Sequence, residues 1–227
     1  MNKLARLASL TLALLASTLS HANVVGTAAA GTGNATPFGN ASVAWAASYE
    51  QVYASSQFAA SLSIHSLSFY NTQYDAGGYS LNGGTYSIYL STTSGSVNGL
   101  NADPAANVGG DEVLVYSGLL PANTINAFGG EFDFMLASAF LYDPSQGNLL
   151  MRVTSGSLSF DPKIYLDSDT SGSVTSGLLG NSPLSSGLVT GFNEVATTGA
   201  PALPEPAGLL LVAAGLAAAG VSRRARR

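Results

Sequence analysis

The stretch AFLYDPSQGNLLMRVTSG, residues 139–156, contains the pattern that decides the fold class. In residues 149–154, LLMRVT, every second residue is apolar, as on the buried face of a β-strand. The pair DP at 143–144 begins a turn and the pair GN at 147–148 leaves it, with a strand-like run on either side. The stretch therefore predicts a β-hairpin made of two adjacent strands.

Strand-like runs of the same kind recur along the chain between Gly, Pro and Asn turns. The runs GTYSIYLSTT (84–93), EFDFMLAS (131–138) and GLVTGF (187–192) each place apolar residues at alternate positions. In SLSIHSLSFY (61–70) the apolar phase changes near His65, which predicts a β-bulge that moves the buried face by one residue. No segment of the body shows the apolar spacing of a long amphipathic helix.

These patterns predict an all-β fold, a single antiparallel β-sandwich domain of jelly-roll-like form over residues 23–198. Residues 23–42 are rich in Gly, Ala, Thr and Asn, and we expect them to be partly irregular. An N-terminal signal helix and a C-terminal transmembrane helix are expected to flank the domain. The chain has 227 residues, which leaves enough for one domain with a sizeable core.

The composition excludes several kinds of function. All 13 acidic residues lie between residues 23 and 205, where the only basic residues are Arg152 and Lys163, so this body has a formal charge of −11. A body this acidic lacks the cations that nucleic acid binding requires. The chain has no cysteine, which excludes disulfides, thiolate metal sites and cysteine nucleophiles.

The N-terminus has the three parts of a secretory signal peptide. Lys3 and Arg6 form a basic start, and the apolar run LASLTLALLASTL follows at 7–19. The sequence SHA then places small residues at the −3 and −1 positions of a cleavage site after Ala22. We therefore expect signal peptidase and the secretion machinery to act on residues 1–22 and to leave Asn23 as the new N-terminus.

The C-terminus has the features of a short membrane segment behind a stiff linker. Residues 199–206, GAPALPEP, are proline-rich and predict an extended linker. Residues 207–221 are uncharged, and as a helix they would reach about 22 Å, against about 30 Å for the hydrocarbon core. The segment 207–227 is thus expected to span only with local thinning of the bilayer. A cluster of arginines then sets a cytoplasmic C-terminus under the positive-inside rule: Arg223, Arg224, Arg226 and Arg227.

The combination of Pro204-Glu205-Pro206, a Gly-containing apolar segment and a terminal arginine cluster resembles the PEP-CTERM sorting signal of Gram-negative bacteria. The resemblance covers roughly the last 25 residues. It implies recognition and processing by exosortase, a membrane-embedded cysteine transpeptidase-like enzyme found mostly in bacteria that make exopolysaccharide. The blocks at 86–100, 108–118, 142–153 and 187–192 are also similar to the bodies of other PEP-CTERM proteins, which implies a β-sandwich but no catalytic residues.

The leading interpretation is an exported, non-enzymatic protein of the cell surface or extracellular matrix, associated with exopolysaccharide or biofilm. The tail would hold it briefly in the inner membrane before processing at Pro204, Glu205 and Pro206. A carbohydrate-binding β-sandwich module, with or without calcium, is the alternative interpretation. A glycan hydrolase is the third.

One calcium site is a candidate, and no other cofactor is expected. The sequence DSDTSG at 167–172 resembles the start of a calcium loop, since Asp167, Asp169 and Ser171 supply side-chain oxygens at alternate positions before a glycine. The acid expected at the twelfth position is Leu178, so the loop is not an EF-hand. Asp and Ser also occur in turns for conformational reasons alone, and both interpretations remain open.

The hydrolase interpretation depends on EFDF at 131–134, which resembles the opening of the E-x-D-x-x-E signature of laminarinase-type β-glucanases. Those enzymes need a second glutamate so that two carboxyl groups flank the scissile bond. The corresponding position here is Leu136, which leaves Glu131 and Asp133 without that partner. A strand with an acidic outer face is the alternative.

Histidine and tyrosine provide the remaining candidates. His65 is the only histidine after signal removal, and no nucleophile elbow accompanies it, so we expect an ordinary strand residue. Tyrosines suit sugar stacking but are equally ordinary on strands. The tyrosines considered for stacking are Tyr70, Tyr74, Tyr79, Tyr86 and Tyr89.

Overall fold

A computed structural model of the chain describes residues 22–39, 46–75, 77, 83–120, 128–158 and 164–194. The chain divides into two units, residues 1–195 and 196–227, and all described residues lie in the first. The predicted signal helix, the proline-rich linker and the predicted membrane segment lie outside the described residues. Among the described residues, no helix has the length and apolar character needed to cross a membrane.

The described residues form strands joined by loops, with two short 3-10 helices, η1 (Ser55–Gln57) and η2 (Pro104–Ala106). The all-β prediction is therefore confirmed. The strands are, in chain order, β1 (Asn23–Val25), β2 (Tyr49–Tyr53), β3 (Leu62–Asn71), β4 (Gly84–Thr93), β5 (Val113–Leu119), β6 (Gly130–Tyr142), β7 (Asn148–Leu158), β8 (Ser168–Asp169), β9 (Thr175–Leu179), β10 (Ser182–Leu184), β11 (Gly187–Leu188) and β12 (Thr190–Phe192).

Two larger sheets carry most of these strands. One has four strands in the order β1-β12-β3-β6, and the other has six in the order β10-β9-β2-β7-β4-β5, while β11 and β8 form a small third sheet. Every strand pair recorded within them is antiparallel. The antiparallel arrangement lets each sheet turn one apolar face inward, as the alternating sequence requires.

The inward faces of the two larger sheets share one hydrophobic core, so the arrangement is sandwich-like. The ring of Tyr53 on β2 lies 5.1 Å from that of Phe192 on β12, edge to face. At another place the ring of Tyr116 on β5 lies 4.8 Å from that of Phe134 on β6. Aromatic pairs of this geometry stabilise a core beyond the area that they bury.

The predicted hairpin over residues 139–156 is wrong. Strand β6 pairs with β3 in the four-stranded sheet, whereas β7 pairs with β2 and β4 in the six-stranded sheet. The turn between β6 and β7 therefore carries the chain from one sheet to the other. Strands β6 and β7 belong to opposing sheets. The alternate apolar residues of each strand therefore point into the core from opposite sides.

The turn itself has the local chemistry that its residues predict. The backbone N–H of Ser145 donates to a carboxylate oxygen of Asp143, and that of Gln146 donates to the Asp143 carbonyl. Gly147 has a φ of 152°, an angle that residues other than glycine rarely adopt. The hydroxyl of Tyr142 donates to the carbonyl of Gly147 at 2.8 Å and closes the turn.

The predicted bulge near His65 is confirmed. The register of β3 against β6 shifts between Ile64 and Ser66. Ile64 is buried before the shift and Leu67 is buried after it, so the inward set of side chains moves by one residue at His65. This register shift therefore explains why the apolar residues of the sequence change phase at His65.

The segment between β1 and β2 adds a side chain to the centre of the core. Residues 26–39 form a single isolated bridge, between Asn34 and Leu166, yet Phe38 at their end has no exposed surface. The next residue, Gly39, lies so close to the backbone of Ile164 that a β-carbon would overlap its carbonyl oxygen. The ring of Phe38 lies within 6 Å of four other aromatic rings: Phe69, Tyr86, Phe132 and Phe134.

The first and last strands of the described body are neighbours. Asn23 of β1 pairs with Phe192 of β12, and Val25 pairs with Thr190. Because the pair is antiparallel, the start of β1 and the end of β12 lie at the same end of the sheet. The two ends of the body are thus side by side.

Candidate functional site

The loop between β4 and β5, residues 94–112, lies over the outer face of the six-stranded sheet. The backbone N–H of Asn98 donates to the hydroxyl of Ser176 on β9 at 2.7 Å, which fixes the loop across the sheet. Gly109 approaches β4 so closely that a β-carbon would overlap the carbonyl oxygen of Thr92. We call this segment the β4–β5 loop. It explains why β2 is buried on both of its faces.

Asn107 is the hydrogen-bonding centre of this loop. Its side-chain amide donates to the Glu50 carboxylate at 2.8 Å and to the Asn101 carbonyl at 2.9 Å. Its side-chain oxygen accepts from the Asn101 backbone N–H at 2.7 Å. Its backbone carbonyl accepts from the hydroxyl of Thr93 on β4 at 2.6 Å. Asn107 therefore closes the loop on itself and joins it to the sheet.

Glu50 is the buried acid of this site. It has no exposed surface, and among the described residues its carboxylate accepts one hydrogen bond, from the Asn107 amide to Oε2. Its other oxygen, Oε1, is buried without a hydrogen-bond partner among the described residues. Burial raises the pKa of this carboxyl to about 7, and it outweighs the opposing effects of the Asn107 hydrogen bond and the Arg152 charge. The charges of Glu112 and Asp103 raise the pKa further.

Arg152 lies next to Glu50 in the sheet but is bound to another acid. The two residues face each other in the β2–β7 register. The guanidinium donates through Nε and Nη2 to the two oxygens of Glu112, both at 2.8 Å, in a bidentate pair. It also lies 4.2 Å from the ring centroid of Tyr89 on β4, a cation–π geometry. These contacts pin the end of the β4–β5 loop to the sheet.

A cavity opens between the loop and the sheet beside this cluster. It has a volume of about 570 Å³ and is lined from the sheet side by Ser48, Arg152 and Thr154. On the loop side it is lined by residues 103–105 and by Val108. A second cavity of about 630 Å³ shares part of this lining. Hydroxyls, one guanidinium, the Asp103 carboxylate and small apolar side chains thus surround a space that a small polar molecule can enter.

This cluster was missed by sequence reasoning. Glu50 sits in a run, SYEQVY, whose pattern fits a strand or a short helix, and nothing near it in the chain marks it as buried. The available signal is Arg152, since it is one of two basic residues in a body with 13 acids and is therefore expected to pair with one of them.

The calcium candidates hold neighbouring loops in place. Asp167 accepts from the backbone N–H groups of Thr72 and Gln73 and from the Thr72 hydroxyl. Asp169 accepts from the backbone N–H of Thr27 and from the N–H and hydroxyl of Ser171. All four carboxylate oxygens thus accept hydrogen bonds. In the described part of the chain, no group of three or more His, Asp or Glu is arranged to hold a metal ion.

The two acids of the glucanase-like stretch lie on the outer face of the four-stranded sheet. Asp133 accepts a hydrogen bond from the Ser68 hydroxyl on β3. Burial raises the pKa of Glu131, and the charges of Asp133 and Glu194 raise it further. Glu194 itself accepts from the Tyr70 hydroxyl, so it is a neighbouring carboxylate that the sequence pattern does not reveal.

Leu136, which stands where the glucanase signature has its second glutamate, packs against the hydrophobic core. His65 lies at the bulge, and its backbone N–H donates to the side chain of Asn193. Burial lowers the pKa of the His65 ring, which favours the neutral form. These positions fit structural roles in the strand.

The predicted stacking tyrosines have different surroundings. Tyr86 is buried in the core, and Tyr89 lies under Arg152. Tyr74 is 41% exposed, and its ring lies 5.1 Å from that of Tyr165. Both tyrosines pack against Gly33, where a β-carbon would contact both of their side chains. Tyr79 lies outside the described residues.

Of the predicted processing residues, the structure describes those at the start of the body. Asn23 is the first residue of β1, and its side chain donates to the carbonyl of Gln57. Ala22 precedes it and lines a cavity of about 260 Å³. The sorting motif and the arginine cluster lie outside the described residues.

No protein-family model matches the chain, and neither a curated protein nor a solved structure matches it. The function therefore has to be argued from the residues and contacts of this molecule.

Proposed function

We propose that the chain is an exported, non-enzymatic protein of the cell surface or extracellular matrix, with a jelly-roll-like β-sandwich body. In this proposal, exosortase recognises Pro204-Glu205-Pro206 while residues 207–221 hold the protein in the inner membrane. Removal of the tail then delivers the body to the surface or to exopolysaccharide. The acidic charge of the body suits this environment, because it prevents adhesion to anionic lipid.

The pairing of β1 with β12 is the observation that carries the proposal. Strand β1 begins at Asn23, the residue that signal peptidase would expose, and β12 ends at Phe192, just before the proline-rich linker. In the described part of the chain, every strand lies between these two residues. Asn23 and Phe192 also lie at the same end of the sheet.

Processing is tested by mass spectrometry of the protein made in an exosortase-encoding host. We expect the surface-associated protein to begin at Asn23 and to lack residues 207–227. A variant that combines Pro204→Ala and Glu205→Ala is expected to keep its tail and to stay in the inner membrane, because the recognition motif is gone. Pro201→Ala, which changes a linker proline outside the motif, is the control and is expected to be processed normally. An intact RRARR terminus on the surface-associated wild type would contradict the proposal.

A second candidate function, carbohydrate binding, is favoured by the exposed Tyr74–Tyr165 pair. The Tyr74 side chain is exposed, and the amide of Gln73 beside it, which donates to the Thr72 hydroxyl, carries an oxygen that can accept from sugar hydroxyls. Asp167 holds the backbone of both residues from below. In this alternative, a calcium ion at Asp167, Asp169 and Ser171 would order the same loop.

Binding to the host's own exopolysaccharide tests this alternative. Tyr74→Ala is expected to weaken binding roughly fivefold, since a stacked ring contributes on the order of 1 kcal/mol. Leu141→Ala removes another exposed apolar side chain and is expected to leave binding unchanged. The measurement is made in calcium and in EDTA, and a calcium-dependent module would bind only in the first. Equal retention of wild type and Tyr74→Ala would argue against the tyrosine pair.

A further inference from the structure

The middle of the β4–β5 loop is built as a small unit with its own internal hydrogen bonds. The side chain of Asn107 bonds both the N–H and the carbonyl of Asn101, so residues 101–107 form a closed ring. Inside it, Asp103 caps η2 by accepting from the backbone N–H of Ala105. We call residues 101–107 the η2 segment. Its internal bonds do not depend on the sheet, so the segment can keep them when it moves.

Two hydrogen bonds join Asn107 of this segment to the sheet. One runs from its side-chain amide to Glu50 on β2, and the other runs from the Thr93 hydroxyl on β4 to its carbonyl. The first by itself favours the ionised carboxylate, and the burial of Glu50 under the segment outweighs it. The segment also lines the 570 Å³ cavity through residues 103–105, so its position decides how open that cavity is.

The site is a poor environment for an ionised Glu50. A carboxylate has about four acceptor positions and usually fills several of them, whereas this one receives a single donor and has Oε1 buried without a partner among the described residues. Arg152, the cation of the described residues, already binds both oxygens of Glu112. Lifting the η2 segment would let water reach the carboxylate and remove this cost.

The charges around Glu50 do not remove the unfavourable effect of burial on its ionised form. Glu112 and Asp103 on the loop repel its ionised form, and Arg152 attracts it. Strand β9 on the other side presents Leu178 to Glu50 and carries no titratable residue. The titratable side chains of the elements packed against Glu50 are Arg152 on β7, Tyr86 and Tyr89 on β4, Asp103, Asp111 and Glu112 on the loop, and Tyr49 and Tyr53 on its own strand.

We propose that the η2 segment is a proton-controlled cover over the cavity, lying on the sheet while Glu50 is protonated and lifting from it when Glu50 ionises. The cavity is then narrow in mildly acidic surroundings and wide in mildly alkaline ones. This inference concerns the body alone, and it holds whether or not the tail is processed as proposed above.

The direction of the pH effect follows from linkage. The pKa of Glu50 is raised in the closed form to about 7, from an ordinary value of 4.5. The closed form is therefore favoured fully below the ordinary value, and the advantage is lost as the pH rises to about 7. Between pH 5.5 and pH 8.5 the ratio of lifted to closed segments is expected to rise about 30-fold.

Hydrogen–deuterium exchange of the full chain measures this ratio directly. After correction for the intrinsic pH dependence of exchange, amides in the η2 segment are expected to exchange about 30-fold faster at pH 8.5 than at pH 5.5. Residues 149–153 of β7 serve as the internal reference and are expected to change little. In Glu50→Gln, which keeps the shape and cannot ionise, the segment is expected to stay protected at both pH values.

A second variant keeps the test decisive if Glu50→Gln fails to fold, as judged by lost protection of residues 149–153. Asn107→Ala removes the amide that donates to Glu50 and breaks the ring of the η2 segment. Its segment is expected to exchange fast at both pH values while β7 stays protected. Equal corrected rates at the two pH values in the wild type would overturn the proposal, as would the 30-fold rise in Glu50→Gln or an unchanged rise in Asn107→Ala.

Discussion

Replacing Phe38 with alanine is expected to lower the free energy of unfolding by about 3–5 kcal/mol, the usual range for losing a buried phenylalanine. Phe38 has no exposed surface, and its ring lies 5.1 Å from Phe69 and from Phe134. It also lies 5.6 Å from Tyr86 on β4, which belongs to the other sheet. The ring therefore fills space between the two sheets, and neither sheet can close over the gap without moving the other.

Urea unfolding followed by far-ultraviolet circular dichroism measures this effect. The midpoint is expected to fall while the slope stays unchanged, because the variant exposes the same surface on unfolding. Phe128→Ala is the matched control, since Phe128 is 44% exposed and its loss is expected to cost less than about 1 kcal/mol. Equal losses in the two variants would show that Phe38 does not occupy the centre of the core.

The burial of Phe38 could not be predicted from the periodicity of apolar residues. Alternation is a local property, so it located the inward faces of β4 and β12 and the bulge at His65. Phe38 belongs to a Gly- and Ala-rich segment with no period, and its burial depends on where that segment crosses the finished sheets. A single aromatic residue between turns carries no mark of that position.

The partner of a strand is also invisible in the pattern. Residues 139–156 have the alternation and the turn residues of a hairpin, and both features are present in the structure. The same features also occur in a turn that joins opposing sheets. Alternation shows which residues of a strand point inward, but it does not show which strand pairs with it. Deciding between the two requires the pairing of β6 with β3 and of β7 with β2.

The polar site depends on contacts between distant parts of the chain. Asn107 and Glu50 are 57 residues apart, and Arg152 and Glu112 are 40 apart. No spacing rule connects such residues before the sheets form. The aspartates of the calcium-like stretch show the opposite case, because their local pattern is present while their oxygens accept hydrogen bonds from nearby loops.

Replacing Gln51 with leucine is expected to lower the free energy of unfolding by about 3–5 kcal/mol, since each unpaired buried polar group costs about 1–3 kcal/mol. The Gln51 side chain has no exposed surface and joins β2 to β11. Its oxygen accepts from the Leu188 backbone N–H at 2.9 Å and from the Tyr49 hydroxyl at 2.6 Å. Its amide donates to the Leu188 carbonyl at 2.7 Å and to the Thr175 hydroxyl at 3.1 Å.

Leucine has a similar volume, so the loss comes from polar groups left without partners rather than from a cavity. The N–H of Leu188 and the hydroxyl of Tyr49 would each lose the hydrogen bond to the Gln51 oxygen, and burial raises the pKa of the Tyr49 hydroxyl, which keeps it a neutral donor. Gln146→Leu is the matched control, because that exposed side chain bonds Ser145 and Asp143 of its own turn, and the expected change is within about 0.5 kcal/mol.

A double-mutant cycle separates the network from simple burial. Tyr49→Phe removes the hydroxyl that loses its Gln51 acceptor in Gln51→Leu, so the double variant is expected to be more stable than the sum of the single losses predicts, by about 1 kcal/mol. Additive losses would mean that the two side chains contribute independently. A stability gain in Gln51→Leu would mean that the core tolerates an apolar residue there, and the satisfied polar network would then serve the register between β2 and β11 rather than stability.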